Sequence, residues 1–132
     1  MTRTRPLILA ALLAGLAPLD AQAQAQTPAA LYNDNCSACH RPDGKGVKGA
    51  FPALSGNALV QGDPFGVAAV VLKGRNGMPS FKDELTDAQM ANVLTYIRTS
   101  WGNKASRMHP GLIAAARART NSAKGAIKAP SN

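Results

Sequence analysis

The chain has 132 residues, with 15 Lys and Arg against 7 Asp and Glu, and only two cysteines. That length holds one small domain plus extra segments, and two cysteines exclude a zinc site built from two cysteine pairs. The net charge of +8 is unevenly placed: residues 24–103 balance to +1, whereas 104–132 carry six basic residues and no acid, so a nucleic-acid footprint on the folded part is excluded.

The first stretch has the pattern of a targeting segment. Arg3 and Arg5 precede an apolar run of eleven residues, Leu7 to Ala17. Such a run is too short to span a bilayer, which needs about 20 residues. Ala21-Gln22-Ala23 supplies a small-x-small cleavage signal, and Ala23-Gln24-Ala25 offers a second register. The expectation is a cleaved signal peptide over 1–23, a domain over 24–103, and a basic Ala-rich tail over 104–132.

Residues 28 to 35 predict a short helix opened by Pro28, with Tyr32 as a core aromatic. Cys36-Ser37-Ala38-Cys39-His40 follows and contains both cysteines. A C-x-x-C-H string is the pattern of c-type haem attachment. Thiols three residues apart fall on neighbouring positions of one helical turn, so each can form a thioether to one haem vinyl. The turn then brings His40 to the iron as an axial ligand. A thioredoxin-type redox pair is expected near a βαβ pattern, and none is found. A disulfide between residues three apart is geometrically awkward.

Arg41 to Gly46 is a turn-rich loop that cannot continue a helix. Pro52, twelve residues after His40, has a carbonyl free to accept a hydrogen bond, and a ligating histidine usually needs a partner for its second ring nitrogen. A short helix is expected over Ser55 to Val60 with Ser55 as cap. A second runs from the Asp63-Pro64 pair to Gly74. Met78 then lies in an irregular loop rich in Gly, Asn and Pro, suited to presenting a thioether to a metal. Among its competitors, Met90 falls on a helical apolar stripe and Met108 in the tail.

Thr86 to Gln89 is a capping box. Met90, Val93, Leu94, Ile97 and Trp101 form one apolar face of the last helix, closed by Gly102. The tail has too little apolar surface to pack firmly, so disorder or weak docking is expected there. His109 in that tail is not expected to be a ligand. No run shows strand alternation longer than four residues, and the expected fold is all-α.

Over residues 28–103 these features resemble the class I monohaem cytochrome c family. Cys36, Cys39 and His40 match its haem-binding motif, and Met78 its distal ligand in the Met-Pro context. Pro52 matches the proline whose carbonyl holds the proximal histidine, and Leu54 the haem-packing leucine. Tyr32, Val93 and Tyr96 match the helix-crossing partners. Arg41 departs from the family, where many members have Gly, and so does Pro28, where a small residue is usual. The resemblance implies the small cytochrome c fold: about four to five short helices around one covalent haem c.

The runs Phe51 to Asn57, Asn76 to Phe81 and Ser100 to Asn103 are similar to cytochrome c modules of bacterial periplasmic dehydrogenases for alcohols or with molybdenum cofactors. The targeting segment implies export, in agreement with cysteine-attached haem, which is matured outside the cytoplasm; in a Gram-negative bacterium the compartment is the periplasm. The resemblance implies a one-electron carrier and no enzyme. The partners implied are redox proteins: a dehydrogenase donor, and an oxidase or another cytochrome as acceptor. No nucleic acid is implied, nor a transmembrane segment in the mature chain; contact of the basic tail with a membrane surface stays open. Two alternatives stay open as well. One is a subunit bound within a dehydrogenase or oxidase complex. The other is a five-coordinate haem that binds a small ligand or turns over peroxide, which requires Met78 to be absent or displaced.

Overall fold

The computed structural model describes residues 26–127. The expected signal peptide, 1–23, lies outside the described residues. Among the described residues there are six helices and no strand, where four to five helices were expected. No helix among them is long and apolar enough to cross a membrane.

Helix α1, Pro28–Asn35, begins with Pro28 at a first-turn position, where the missing N–H costs nothing. Thr27 caps it by accepting from the Ala30 N–H. Its inner face buries Leu31 and Tyr32. Helix α2 is the four-residue turn Ser37–His40. Helix α3, Ala58–Gln61, is capped by Asn57, whose side chain accepts from Leu59 and Val60. The expected cap, Ser55, is occupied elsewhere. Its N–H and that of Leu54 both donate to the Gly44 carbonyl, and its hydroxyl donates to the Trp101 carbonyl.

Helix α4, Pro64–Lys73, has the expected Asp63 cap and ends at Gly74. Helix α5, Asp87–Thr99, has the expected capping box and buries Met90, Val93, Leu94 and Ile97. It stops short of Trp101, which was expected on the same helical face. The Asn103 side chain donates to the Ile97 carbonyl at 2.9 Å, the acceptor that the next helical N–H would have used. Trp101 instead turns out at φ 52° and packs its ring on Tyr32, 4.9 Å between centroids, and edge-on to Tyr96. This aromatic cluster lies where α1 packs across α5.

The expectation of a disordered tail needs correction. Helix α6, Pro110–Ile127, lies against α4 and α5. Met108, Ile113 and Ala116 are buried in the common core. The apolar surface is small, but alanine lets two helices approach closely. The connecting stretch is also tied down by hydrogen bonds. The Ala105 N–H donates to the Arg98 carbonyl, and the Met108 N–H to the Thr95 hydroxyl.

Arg98 is the core's only buried cationic side chain among the described residues, 1% exposed. Its guanidinium donates to the carbonyls of Val60, Gly62 and Ser106 and to the Ser106 hydroxyl. Burial depresses its pKa, offset in part by Asp63. The side chain therefore joins the end of α3 to α5 and to the stretch before α6. Arg98→Met should leave buried carbonyls without donors and lower unfolding stability by about 3 kcal/mol, read from urea denaturation. A change within error would show that water replaces these bonds at no cost.

Arg41 follows α2 at φ 64°, ψ 155°, a region that glycine enters freely and side chains rarely do. Its side chain is exposed. Arg41→Gly should therefore raise stability by about 1 kcal/mol in the same assay, and a loss of stability would refute the strain.

Candidate cofactor site

The site is built on α2. The His40 N–H donates to the Cys36 carbonyl at 2.9 Å, so Cys36, Cys39 and His40 share one turn of helix. Both thiols are free and half-buried. Burial, and then Cys39, push the Cys36 thiol up to about 11. A redox-active C-x-x-C pair is instead marked by a depressed thiol pKa, so this environment disfavours dithiol exchange. Among the described residues, no group of three or more His, Cys, Asp or Glu side chains is gathered as a metal site would need.

His40 is 8% exposed, and its ring is fixed by one hydrogen bond. Nδ1 lies 2.9 Å from the Pro52 carbonyl oxygen. A carbonyl only accepts, so Nδ1 carries the proton, and in the neutral ring Nε2 keeps its lone pair. This is the tautomer a metal-ligating histidine needs. The loop between them folds back tightly. The Gly46 N–H donates to the His40 carbonyl at 2.9 Å. Gly46 has φ 62°, and a Cβ there would meet the Pro52 oxygen at 2.6 Å. Glycine at 46 is therefore what lets Pro52 reach the imidazole.

Tyr32 holds the other side of this turn. Its hydroxyl donates to the Arg41 carbonyl at 2.6 Å, one residue after His40. Burial above all holds its pKa above the ordinary tyrosine range, so it stays a donor. The sequence suggested only a core aromatic. The glycine-like position of Arg41 was the available signal that this corner is sharply turned.

Met78 is carried separately, on the loop after α4. Arg75 and Met78 exchange both backbone hydrogen bonds around Asn76 and Gly77, which have φ 47° and 87°. That is the tight turn for which Asn-Gly is the preferred pair. The loop is pinned to the end of α4: the Ser80 hydroxyl donates to the Leu72 carbonyl, and the Phe81 N–H to the Val71 carbonyl. Gly74, at φ 73°, is required because a Cβ there would meet the Met78 oxygen at 2.5 Å. Met78 is half-buried, whereas Met90 and Met108 are buried in the core. His109 is exposed and its carbonyl caps the first turn of α6.

Leu54, Val71 and Phe81 are half-buried against the core, while Val47 and Phe51 are exposed beside Pro52. Two free thiols, an imidazole lone pair and these apolar side chains fit a flat apolar group attached covalently. Lys45, Lys48, Lys73, Arg75 and Lys82 are all exposed on the flanking segments. Of these, Lys45 pairs with Asp43 and Lys82 with Asp83, both at the surface.

Comparison with known proteins agrees with this chemistry. Residues 23–97, more than half of the chain, match the family described as cytochrome c oxidase, cbb3-type, subunit III. The chain is 38% identical to the alcohol dehydrogenase (quinone) cytochrome c subunit of Gluconobacter oxydans over 70% of its own length, but spans only 21% of that protein. It is 34% identical to cytochrome c6 of Thermosynechococcus vestitus, covering 68% of this chain and 82% of that one. With cytochrome c-552 of Thermus thermophilus it shares 32% identity over 75% of this chain and 73% of the relative. The chain thus belongs to the cytochrome c family, as an electron-transfer protein with one covalently bound haem c.

Proposed function

We propose that the chain is an exported one-electron carrier whose haem c is held by Cys36 and Cys39 as thioethers, with His40 and Met78 as axial ligands. One observation supports this most: the Nδ1–H of His40 donates to the Pro52 carbonyl, leaving Nε2 as the donor atom next to two free thiols. Bound haem c supplies one-electron cycling between ferric and ferrous iron. His40 and Met78 would hold the iron, and the apolar side chains beside them would limit water. A thioether opposite an imidazole favours the ferrous state and raises the potential relative to two imidazoles. Half-burial of Met78 and the apolar Leu54 and Phe81 act in the same direction by lowering the local polarity. Export by the segment 1–23 would deliver the chain to the periplasm.

The surface beside the site suits a transient partner. Val47 and Phe51 form an exposed apolar ridge, with Lys45 and Lys48 next to it in sequence. Small interfaces of this kind bind weakly, and charge steers the encounter. A second reading is favoured by the similarity to a dehydrogenase cytochrome subunit: this chain would be a bound electron-transfer subunit of such a complex. Co-purification of a dehydrogenase with the mature chain from its native periplasm distinguishes the two.

Met78→Ala should abolish the charge-transfer band of Met-ligated ferric haem and lower the reduction potential, while haem stays covalently attached. An unaltered spectrum would remove Met78 from the iron, and a mature chain without covalent porphyrin would overturn the whole assignment. Joint replacement of Lys45, Lys48 and Lys73 by Glu should slow oxidation by hexacyanoferrate about tenfold at low salt, with the difference fading as ionic strength rises. A rate unchanged at low salt would show that these lysines do not surround the point of electron exit.

A further inference from the structure

The stretch after residue 103 has no part in the assignment above, yet it is packed and hydrogen-bonded. Its basic residues do not all face solvent. Arg119 lies over the Phe65 ring of α4, 4.2 Å from the centroid. Arg117 makes a larger set of contacts. Its Nε and Nη2 both lie 2.9 Å from Oδ1 of Asp87, at the first position of α5. Nη1 donates to the Lys82 carbonyl, and Nη2 to the Leu85 carbonyl at 3.2 Å. The ion pair is sheltered, with side chains 26% and 33% exposed, so salt screens it less than a fully exposed pair.

The two carbonyl acceptors belong to one turn, which leads directly into Asp87. The N–H groups of Glu84 and Leu85 both donate to the Phe81 carbonyl. Phe81 in turn is bonded to Val71, and Ser80 to Leu72. The turn is thus continuous with Pro79 and Met78. α6 packs on α4, which carries the other end of the same loop at Gly74. Both ends of the 74–87 segment are therefore anchored to α6, one by core packing and one by Arg117.

We propose that α6 is an intramolecular brace for the Met78 loop, and that Arg117 is its positioning residue. The inference rests on Met78 being an axial ligand. The brace keeps the loop closed and so disfavours displacement of the thioether by an outside ligand. It works through the population of the open loop: an external ligand binds only that state, and its apparent affinity scales with the fraction open. The tail thereby has a function that needs no partner and no membrane.

The test is an imidazole titration of the ferric holoprotein, followed in the visible spectrum. Arg117→Met should bind imidazole about tenfold more tightly than wild type. Asp87→Asn should show a smaller gain, because the two carbonyl acceptors remain. Arg117→Lys should fall between wild type and Arg117→Met, since one ammonium can pair with Asp87 but cannot span all three acceptors. Arg107→Met, which removes an exposed charge before α6, should stay within about twofold of wild type.

A lowered thermal midpoint with wild-type imidazole affinity in the Arg117 variants would overturn the proposal and leave Arg117 a role in packing alone. If Arg117→Met yields no folded holoprotein, Arg117→Lys and Asp87→Asn decide the matter, and wild-type affinity in both overturns it. Failure of the underlying ligand assignment is distinguishable: Met78→Ala would then leave the ferric spectrum unaltered, whatever the Arg117 variants do.

Discussion

The hydrogen bond from the His40 imidazole to the Pro52 carbonyl is the constraint on which the site depends. It fixes the tautomer, the ring plane and the atom left to bind a metal. It also dictates the loop between the two residues. A carbonyl twelve residues downstream can return to the ring only if the chain reverses sharply, and Gly46 at positive φ, with no side chain, makes the reversal possible. The thiols of Cys36 and Cys39 take their positions from the same short helix. The placing of the two thiols, the free imidazole nitrogen and the closed loop are thus three consequences of one local geometry.

That geometry is held from outside by the α1/α5 crossing. Tyr32 serves two purposes there. Its ring packs against Tyr96 and Trp101, and its hydroxyl holds the Arg41 carbonyl at the end of α2. The helix carrying the cysteines therefore cannot shift without disturbing the core. On the other side, the Met78 loop is pinned by Ser80 and Phe81 to the end of α4. The two halves of the site rest on different helices, joined through the shared core of Leu31, Leu72, Met90 and Leu94. A rigid frame of this kind suits electron transfer, because electron exchange is fastest when little rearranges between oxidation states.

Charge is distributed by function. The compact part is nearly balanced, and its exposed lysines lie on the segments flanking His40 and Met78. The excess positive charge after residue 103 looked like a solvated tail. Two of its arginines are instead engaged by the fold, one by an aromatic face and one by Asp87 and two carbonyls. Net charge along a sequence says little about which charges meet solvent.

Much of the site was legible in the sequence, because its chemistry is local. The C-x-x-C-H spacing, the Asp63-Pro64 and Thr86 caps, and the Asn-Gly turn before Met78 all act within a few residues. Their outcome is set by backbone geometry alone. The His40–Pro52 pairing also could be expected, since a ligating imidazole needs an acceptor. What only the tertiary structure decided are the long-range choices. Asn57 became the α3 cap because Gly44 had claimed the backbone at 54 and 55. Asn103 ended α5 early by taking the Ile97 carbonyl. Arg98 was buried among carbonyls, and the tail became α6. Composition judged the tail by its meagre apolar content. Its order comes from Ile113 and Ala116 meeting the core and from Arg117 finding acceptors some 30 residues upstream, and no local pattern encodes a partner that far away in the chain.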